Sequence, residues 1–472
     1  MTNASTELLG ILNAIKRAHL AAGPASAALR RDRLERAARL IIDHRHALEK
    51  AISADFGNRA VYHTLAADIA TTAAGLRHSA AQVEHWMARE IVSAPDAEVQ
   101  AWIEPQPLGV VGIVSPWNFP INLAFAPLAG VFAAGNTALI KPSEFTPRTA
   151  DLLGELVGAH FDADELGVVI GGPDVSSAFT ALPFDHLVFT GSTAVGKFVM
   201  RSAAENLVPV TLELGGKCPV VIEDGFDIAT AAERTLTVKT FNAGQICLSP
   251  DYVMLPEHAV AKFVMQARAF VSRMFPTIQD NSDYTSVIAP RHYERLLALI
   301  ADAEAKGATA IPLNPPGEPF HRADTRKIAP VLLVGVTEDM RVMQEEVFGP
   351  VLPILTLPSV KAAIARINAH DRPLAAYLFS DNPATHDAFA ASVTSGALVI
   401  NDIMLHASID ALPFGGVGAS GMGAYHGVHG FRRFSHMRPV VVQGPSGASG
   451  ARLRAPYADK QAALETLLGG GI

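Results

Sequence analysis

A chain of 472 residues is longer than one hydrophobic core usually supports, so it predicts two or three structural units. An apolar fraction of 49% excludes a disordered chain, and a net charge of −8 without blocks of like charge excludes the electrostatic footprint of a nucleic-acid binder. Two cysteines, Cys218 and Cys247, are too few for a disulfide framework and point to a reducing compartment where a thiol keeps its chemistry.

Residues 1 to about 90 read as helical, with periodic Ala, Leu and Ile, as in ALRRDRLERAARLIIDHRHALEKAI at 28–52. Lys16 and Arg17 interrupt the first apolar positions instead of preceding them, which is not a secretory pattern. No apolar run reaches the ~18 residues of a membrane span. A cytoplasmic protein is therefore expected.

From about residue 90 the texture changes. Short β-rich runs (VVGIVS at 110–115, ALIKPS at 138–143, GVVIGG at 167–172, HLVFTGS at 186–192, PVVIED at 219–224) alternate with helical stretches. A second series follows at 329–336, 350–357, 375–380 and 397–402. Strand–helix alternation predicts βαβ units and parallel sheets, so the fold class is α/β with two units meeting near 213–220. Two further β runs, 98–106 and 438–443, lie outside the series, and the tail at 444–472 holds a flexible GPSGASG and one amphipathic helical pattern at 457–468.

Three residues stand out chemically. Cys247, in NAGQICLSPDYV, follows a Gly-Gln pair that can expose a thiol and a helical pattern at 227–242 that can aim it into a cleft. A lone cysteine is more often an inert core residue. A thiol nucleophile needs a base and an oxyanion partner. Glu213, before the Gly-Gly of ELGGK, and Asn118, in SPWNFP, could serve, although each alone reads as a surface carboxylate and a turn residue.

Their company decides the matter. PWNFP at 116–120, KPSE at 141–144, FTGSTAVGK at 189–197, ELGGK at 213–217, GQIC at 244–247, EEVFGP at 345–350 and LPFGGVGASGMG at 412–423 resemble, in order, the motifs of the aldehyde dehydrogenase superfamily. The separation of 34 residues between Glu213 and Cys247 resembles it too, and the resemblance spans about 100–440. GQICLSPDYV, RPLAAYLFS at 372–380 and the tail are most similar to the class-three branch, and 401–427 resembles its coniferyl-aldehyde dehydrogenases.

The resemblance implies a Rossmann-like dinucleotide-binding domain (1–88 and 108–214), an α/β catalytic domain (215–418) and a small β oligomerisation extension (89–107 and 434–443) that makes a homodimer. It implies that Cys247 attacks an aldehyde, that Asn118 and the Cys247 N–H hold the oxyanion, and that Glu213 activates the water that hydrolyses the thioester. A tetrahedral oxyanion expels hydride readily, whereas a free aldehyde does not. The implied cofactor residues are Trp117, Lys141, Ser143, Glu144, Gly191, Ser192, Gly196, Leu214, Glu346 and Phe348, with pyrophosphate at a helix N-terminus. Glu144 favours NAD, because a 2′-phosphate meets like charge, with NADP the alternative. Phe119, Leu123, Phe241 and Phe414 would line an apolar tunnel for an aromatic or medium-chain aldehyde.

Other patterns carry less. GSTAVGK places Phe198 where a P-loop needs Ser or Thr, and GGVGASG has no strand leading into it, which makes it a glycine-rich loop near the active site. His426, His429 and His436 lack carboxylate or thiolate partners at metal-site spacing, so no metal is expected, and Cys218 reads as a core thiol. Two rival readings, an acylating enzyme that passes its thioester to coenzyme A and a non-catalytic scaffold, are disfavoured by the joint presence of Asn118, Glu213 and Cys247.

Overall fold

The structure, a computed structural model, describes residues 3–94, 96–451 and 453–469. Helices open the chain: Asn3–Ala22, Ala27–Asp43, Arg45–Phe56 and Thr71–Trp86. Ser26 caps the second by accepting from the Leu29 N–H, as an N-cap serine does. A π-helical segment, Thr64–Ala70, interrupts this run before Thr71. Such segments are rare and cluster at functional sites.

The first α/β unit is built on a six-stranded sheet. Its order is Gly421–Met422, Val210–Leu214, His186–Gly191, Val110–Val114, Thr137–Lys141 and Leu166–Val168. Every pair is parallel except Gly421–Met422 against Val210–Leu214. Parallel strands are covered on both faces, so runs such as TALIK are buried throughout rather than alternating. The helix Asn122–Ala133 is apolar all round and buried for the same reason. It crosses the helix Gly427–Arg433 closely, and a Cβ on Gly130 would lie 2.7 Å from the Gly430 carbonyl carbon.

A seven-stranded sheet forms the second unit, in the order Thr309–Pro312, Val331–Val334, Val351–Thr356, Tyr252–Leu255, Pro219–Ile222, Ala375–Phe379 and Ala397–Ile400. Only the Thr309–Pro312 edge is antiparallel. A three-stranded antiparallel sheet stands apart, with Gln100–Pro107 between Glu90–Val92 and Ser435–Val442.

Three elements differ from expectation. GVVIGG shortens to the strand Leu166–Val168, because Gly172 and Pro173 begin the helix Pro173–Thr180. Gly421–Met422 is a strand inside a segment read as loop, since pairing across the sheet edge carries no local signal. The tail helix, Ala458–Gly469, forms, but its Leu464, Leu467 and Leu468 are exposed, so the expected apolar face is not buried by the described residues. No helix among the described residues is long and apolar enough to cross a membrane.

Candidate active site

Cys247 is positioned by a reversal of the backbone. The helix Ile228–Thr240 starts at Asp227, whose carboxylate accepts from the Ala229 and Thr230 N–H groups. After Phe241 come three residues of positive φ: Asn242 at 51°, Ala243 at 52° and Gly244 at 72°. A Cβ on Gly244 would overlap the Gly349 carbonyl, so glycine is required there. Gln245 then locks the turn: its amide donates to the Asn242 and Ser286 carbonyls at 2.9 and 3.1 Å and accepts from the Ile288 N–H at 3.0 Å. Burial pushes the Cys247 thiol up to about 12, and the Glu346 and Glu213 carboxylates act in the same direction. The N–H groups of Cys247 and Leu248 bind the sulfur and oppose this.

Asn118 is buried, and its Nδ2 donates to the Gln245 carbonyl at 3.2 Å. Its own carbonyl accepts from Arg59 Nη1 at 2.9 Å and Asn242 Nδ2 at 3.2 Å. Glu213, one residue from the end of Val210–Leu214, pairs with Gly421 across the sheet edge. Both its carboxylate oxygens are buried without a hydrogen-bond partner, and burial raises its pKa well above the usual 4.5. An orphaned buried carboxyl group calls for an explanation, and a water-activating base is one.

Two cavities meet at Cys247. One, of about 330 Å³, is bordered by Phe119, Leu123, Phe241 and Phe414 as well as Cys247. The other, of about 660 Å³, is bordered by Trp117, Asn118, Glu213, Leu214, Glu346 and Phe348, and again by Leu123 and Cys247. A third, of about 450 Å³, continues from the second, sharing Trp117, Gly191 and Ser192 and adding Lys141, Ser143 and Glu144.

These last two cavities suit a dinucleotide. Gly191 ends a strand, and Ser192 caps the helix Thr193–Ala204 by accepting from the Val195 N–H, so the helix N-terminus opens onto the groove. Gly196 borders neither cavity; a Cβ there would lie 2.6 Å from Leu214, and its bareness instead lets the helix pack on the strand. Lys141 donates to the Pro142 carbonyl at 2.7 Å and lies 3.8 Å from the Glu144 carboxylate. Ser143 Oγ accepts from the Phe145 N–H at 3.2 Å. Glu346 sits where a Cβ on Gly215 would be, and burial lifts its pKa to about 8. Phe348, at φ 46°, meets Trp117 edge-on at 5.4 Å.

Several contributors were invisible in the sequence. His292 stands 5.3 Å from both Trp117 and Phe145 and borders both parts of the groove. Arg295 ties down the EEVF segment through the Glu346 carbonyl at 3.2 Å and the Val347 carbonyl. Asp251 pairs with Lys217 and accepts from the Val347 N–H at 2.8 Å, which joins three of the sequence motifs. Cys218 is fully buried and donates to the Cys247 carbonyl at 3.4 Å. Among the described residues no three His, Cys, Asp or Glu side chains gather as a metal site.

Comparison with known proteins places this architecture. The model of the aldehyde dehydrogenase family matches residues 6–440. The chain is 52% identical over 453 residues to the coniferyl aldehyde dehydrogenase of Pseudomonas sp. strain HR199, covering 96% of this chain and 94% of that one. It is 40% identical over 358 residues to aldehyde dehydrogenase family 3 member A2 of Rattus norvegicus, covering 76% and 72%. It superimposes on the substrate-bound AldH of Staphylococcus aureus with a TM-score of 0.91 at 34% identity, covering 97% and 99%. With this fold, these identities and a thiol at the meeting of two cavities, the chain belongs to the aldehyde dehydrogenase family, in its class-three branch, and oxidises aldehydes to carboxylic acids.

Proposed function

We propose that Cys247, Asn118 and Glu213 carry this oxidation, on an aromatic aldehyde such as coniferyl aldehyde, with a medium-chain aldehyde as the second candidate. What supports this reading most is that Cys247 borders both the apolar cavity and the groove that holds Glu213. The Cys247 sulfur bonds to the aldehyde carbon as its proton passes through the groove to solvent. The carbonyl oxygen gathers charge against the Cys247 N–H and the second N–H of Asn118 Nδ2. When bound, NAD(P)+ supplies the hydride acceptor, and Glu346, Lys141 and Glu144 would hold its riboses. Loss of hydride from the adduct leaves a thioester on Cys247. Glu213 then takes a proton from water, the resulting hydroxide adds to the thioester carbon, and the acid leaves as the thiol reforms.

The finer assignments rest on charge and edges. Glu144 favours NAD by repelling a 2′-phosphate. Arg291 moderates that preference: it lies 4.0 Å over the Phe145 ring in the same cavity and has no ion pair among the described residues. Residues 1–88 and 108–214 form the dinucleotide-binding domain, 215–418 the catalytic domain, and 89–107 with 434–443 the oligomerisation extension. Val441 and Val442 are exposed on an outer strand of that extension, an edge suited to pairing two copies into a homodimer. A thiol nucleophile of this kind belongs in the reducing cytoplasm.

The deciding experiment is Cys247→Ala, assayed with aromatic and aliphatic aldehydes and with NAD and NADP while reduced cofactor is followed. Loss of oxidation with cofactor binding intact is expected. Full activity in the variant would remove Cys247 from the mechanism.

A further inference from the structure

The apolar cavity contains one residue that its packing does not account for. His426 borders it together with Phe414, Tyr425 and Cys247. The imidazole stacks on Phe414 at 5.0 Å and 21°, Phe414 in turn stacks on His406 at 6.0 Å and 11°, and Tyr425 meets His426 edge-on at 5.2 Å. An apolar ring would serve this stack equally well. Instead His426 Nδ1 is buried with no hydrogen-bond partner. With Nδ1 sealed, Nε2 is the ring atom left for a ligand. Burial, with His406 adding to it, lowers the ring's pKa to about 4, so it is neutral and can donate or accept one hydrogen bond.

The backbone makes the same point independently. His426 has φ 103° and ψ 138°, a conformation suited to glycine, and is followed by Gly427 at φ 49°. The segment is glycine-rich, yet its most strained position carries a side chain. Strain of this kind persists where it serves a site. Of the other polar neighbours, Thr71 and Ser408 give their hydroxyl protons to the Ala66 and Leu405 carbonyls, and Asn122 gives one amide N–H to Thr72 Oγ1 at 2.8 Å.

We propose that His426 selects aldehydes bearing a ring hydroxyl: the aryl ring stacks in the Phe414 wall of the cavity and its hydroxyl hydrogen-bonds His426. This rests on the reading of Cys247 as the nucleophile and deepens it by naming the residue that recognises the ring hydroxyl.

The test uses the full chain and three aldehydes: 4-hydroxy-3-methoxycinnamaldehyde, cinnamaldehyde and hexanal. In His426→Phe the ratio of kcat/KM for the hydroxylated aldehyde to that for cinnamaldehyde is expected to fall about tenfold, the loss of one neutral hydrogen bond. His426→Gly should lose the same discrimination while its melting temperature stays level or rises, because the strained φ is relieved. His426→Asn, which tolerates positive φ and keeps an amide, should restore part of the ratio. An equal fall for both aryl aldehydes, or an unchanged ratio, overturns the role of His426 while aldehyde oxidation at Cys247 stands. An unmodified enzyme that oxidises none of the three overturns both.

Discussion

The Arg59 guanidinium and the Asp68 carboxylate form an ion pair at 2.8 Å, both side chains fully buried, behind the turn that carries Asn118. Arg59 reaches the Asn118 carbonyl, while Asp68 Oδ1 accepts from the Ile121 and Asn122 N–H groups at 3.0 and 3.1 Å. The pair thus holds both ends of 118–122 and sets where the Asn118 amide points. Asp68→Ala leaves the Arg59 charge buried and unpaired, a change that costs ~3–5 kcal/mol. Denaturant unfolding should show that loss, with kcat falling further than KM changes because the Asn118 amide, proposed to hold the oxyanion, is displaced.

Glu213 links stability to activity through its proton. Its folded pKa is raised by burial, so between the ordinary value of 4.5 and that raised value the folded state holds a proton the unfolded chain has lost. Stability therefore falls as pH rises through this window. Glu213→Gln removes the penalty, and its melting temperature should exceed the parent's by a margin that grows with pH above 4.5. The same variant should release one equivalent of reduced cofactor and then stall as a thioester. In the parent, turnover should climb with pH as Glu213 ionises. A variant that turns over steadily, or is less stable at neutral pH, would contradict this assignment.

Gly244→Ala tests the reversal that presents Cys247. The new Cβ meets the Gly349 carbonyl at φ 72°, and neither backbone can yield cheaply. A stability loss of ~1–3 kcal/mol is expected, as for a non-glycine residue forced into such a conformation. Alkylation gives a local readout, since Cys218 is fully buried and only Cys247 should react in the folded protein. The alkylation rate and kcat should change together.

Much of this protein was legible in its order of residues. The apolar runs at 110–115, 138–143 and 186–192 each end in Ser because parallel strands are buried along their length and deliver polar groups at their carboxyl ends. The motifs at Asn118, Glu213 and Cys247 could be recognised because each is a short segment whose turn chemistry is local. Phe119, Leu123, Phe241 and Phe414, chosen for apolar character beside those motifs, border one cavity.

What tertiary structure alone decided is everything that depends on residues far apart in the chain. His292 comes from the helix Pro290–Ala305 to stand between Trp117 and Phe145, and nothing in its own neighbourhood marks it. Gly421 closes the sheet beside Glu213 across 208 residues of chain, a pairing with no local signal. Periodicity groups Leu464, Leu467 and Leu468 on one side of the tail helix, yet only packing could show that the described residues leave them exposed. Sequence determined which chemical groups the protein owns; burial, a long-range property, decided which of them carry protons, strain and unfilled hydrogen bonds.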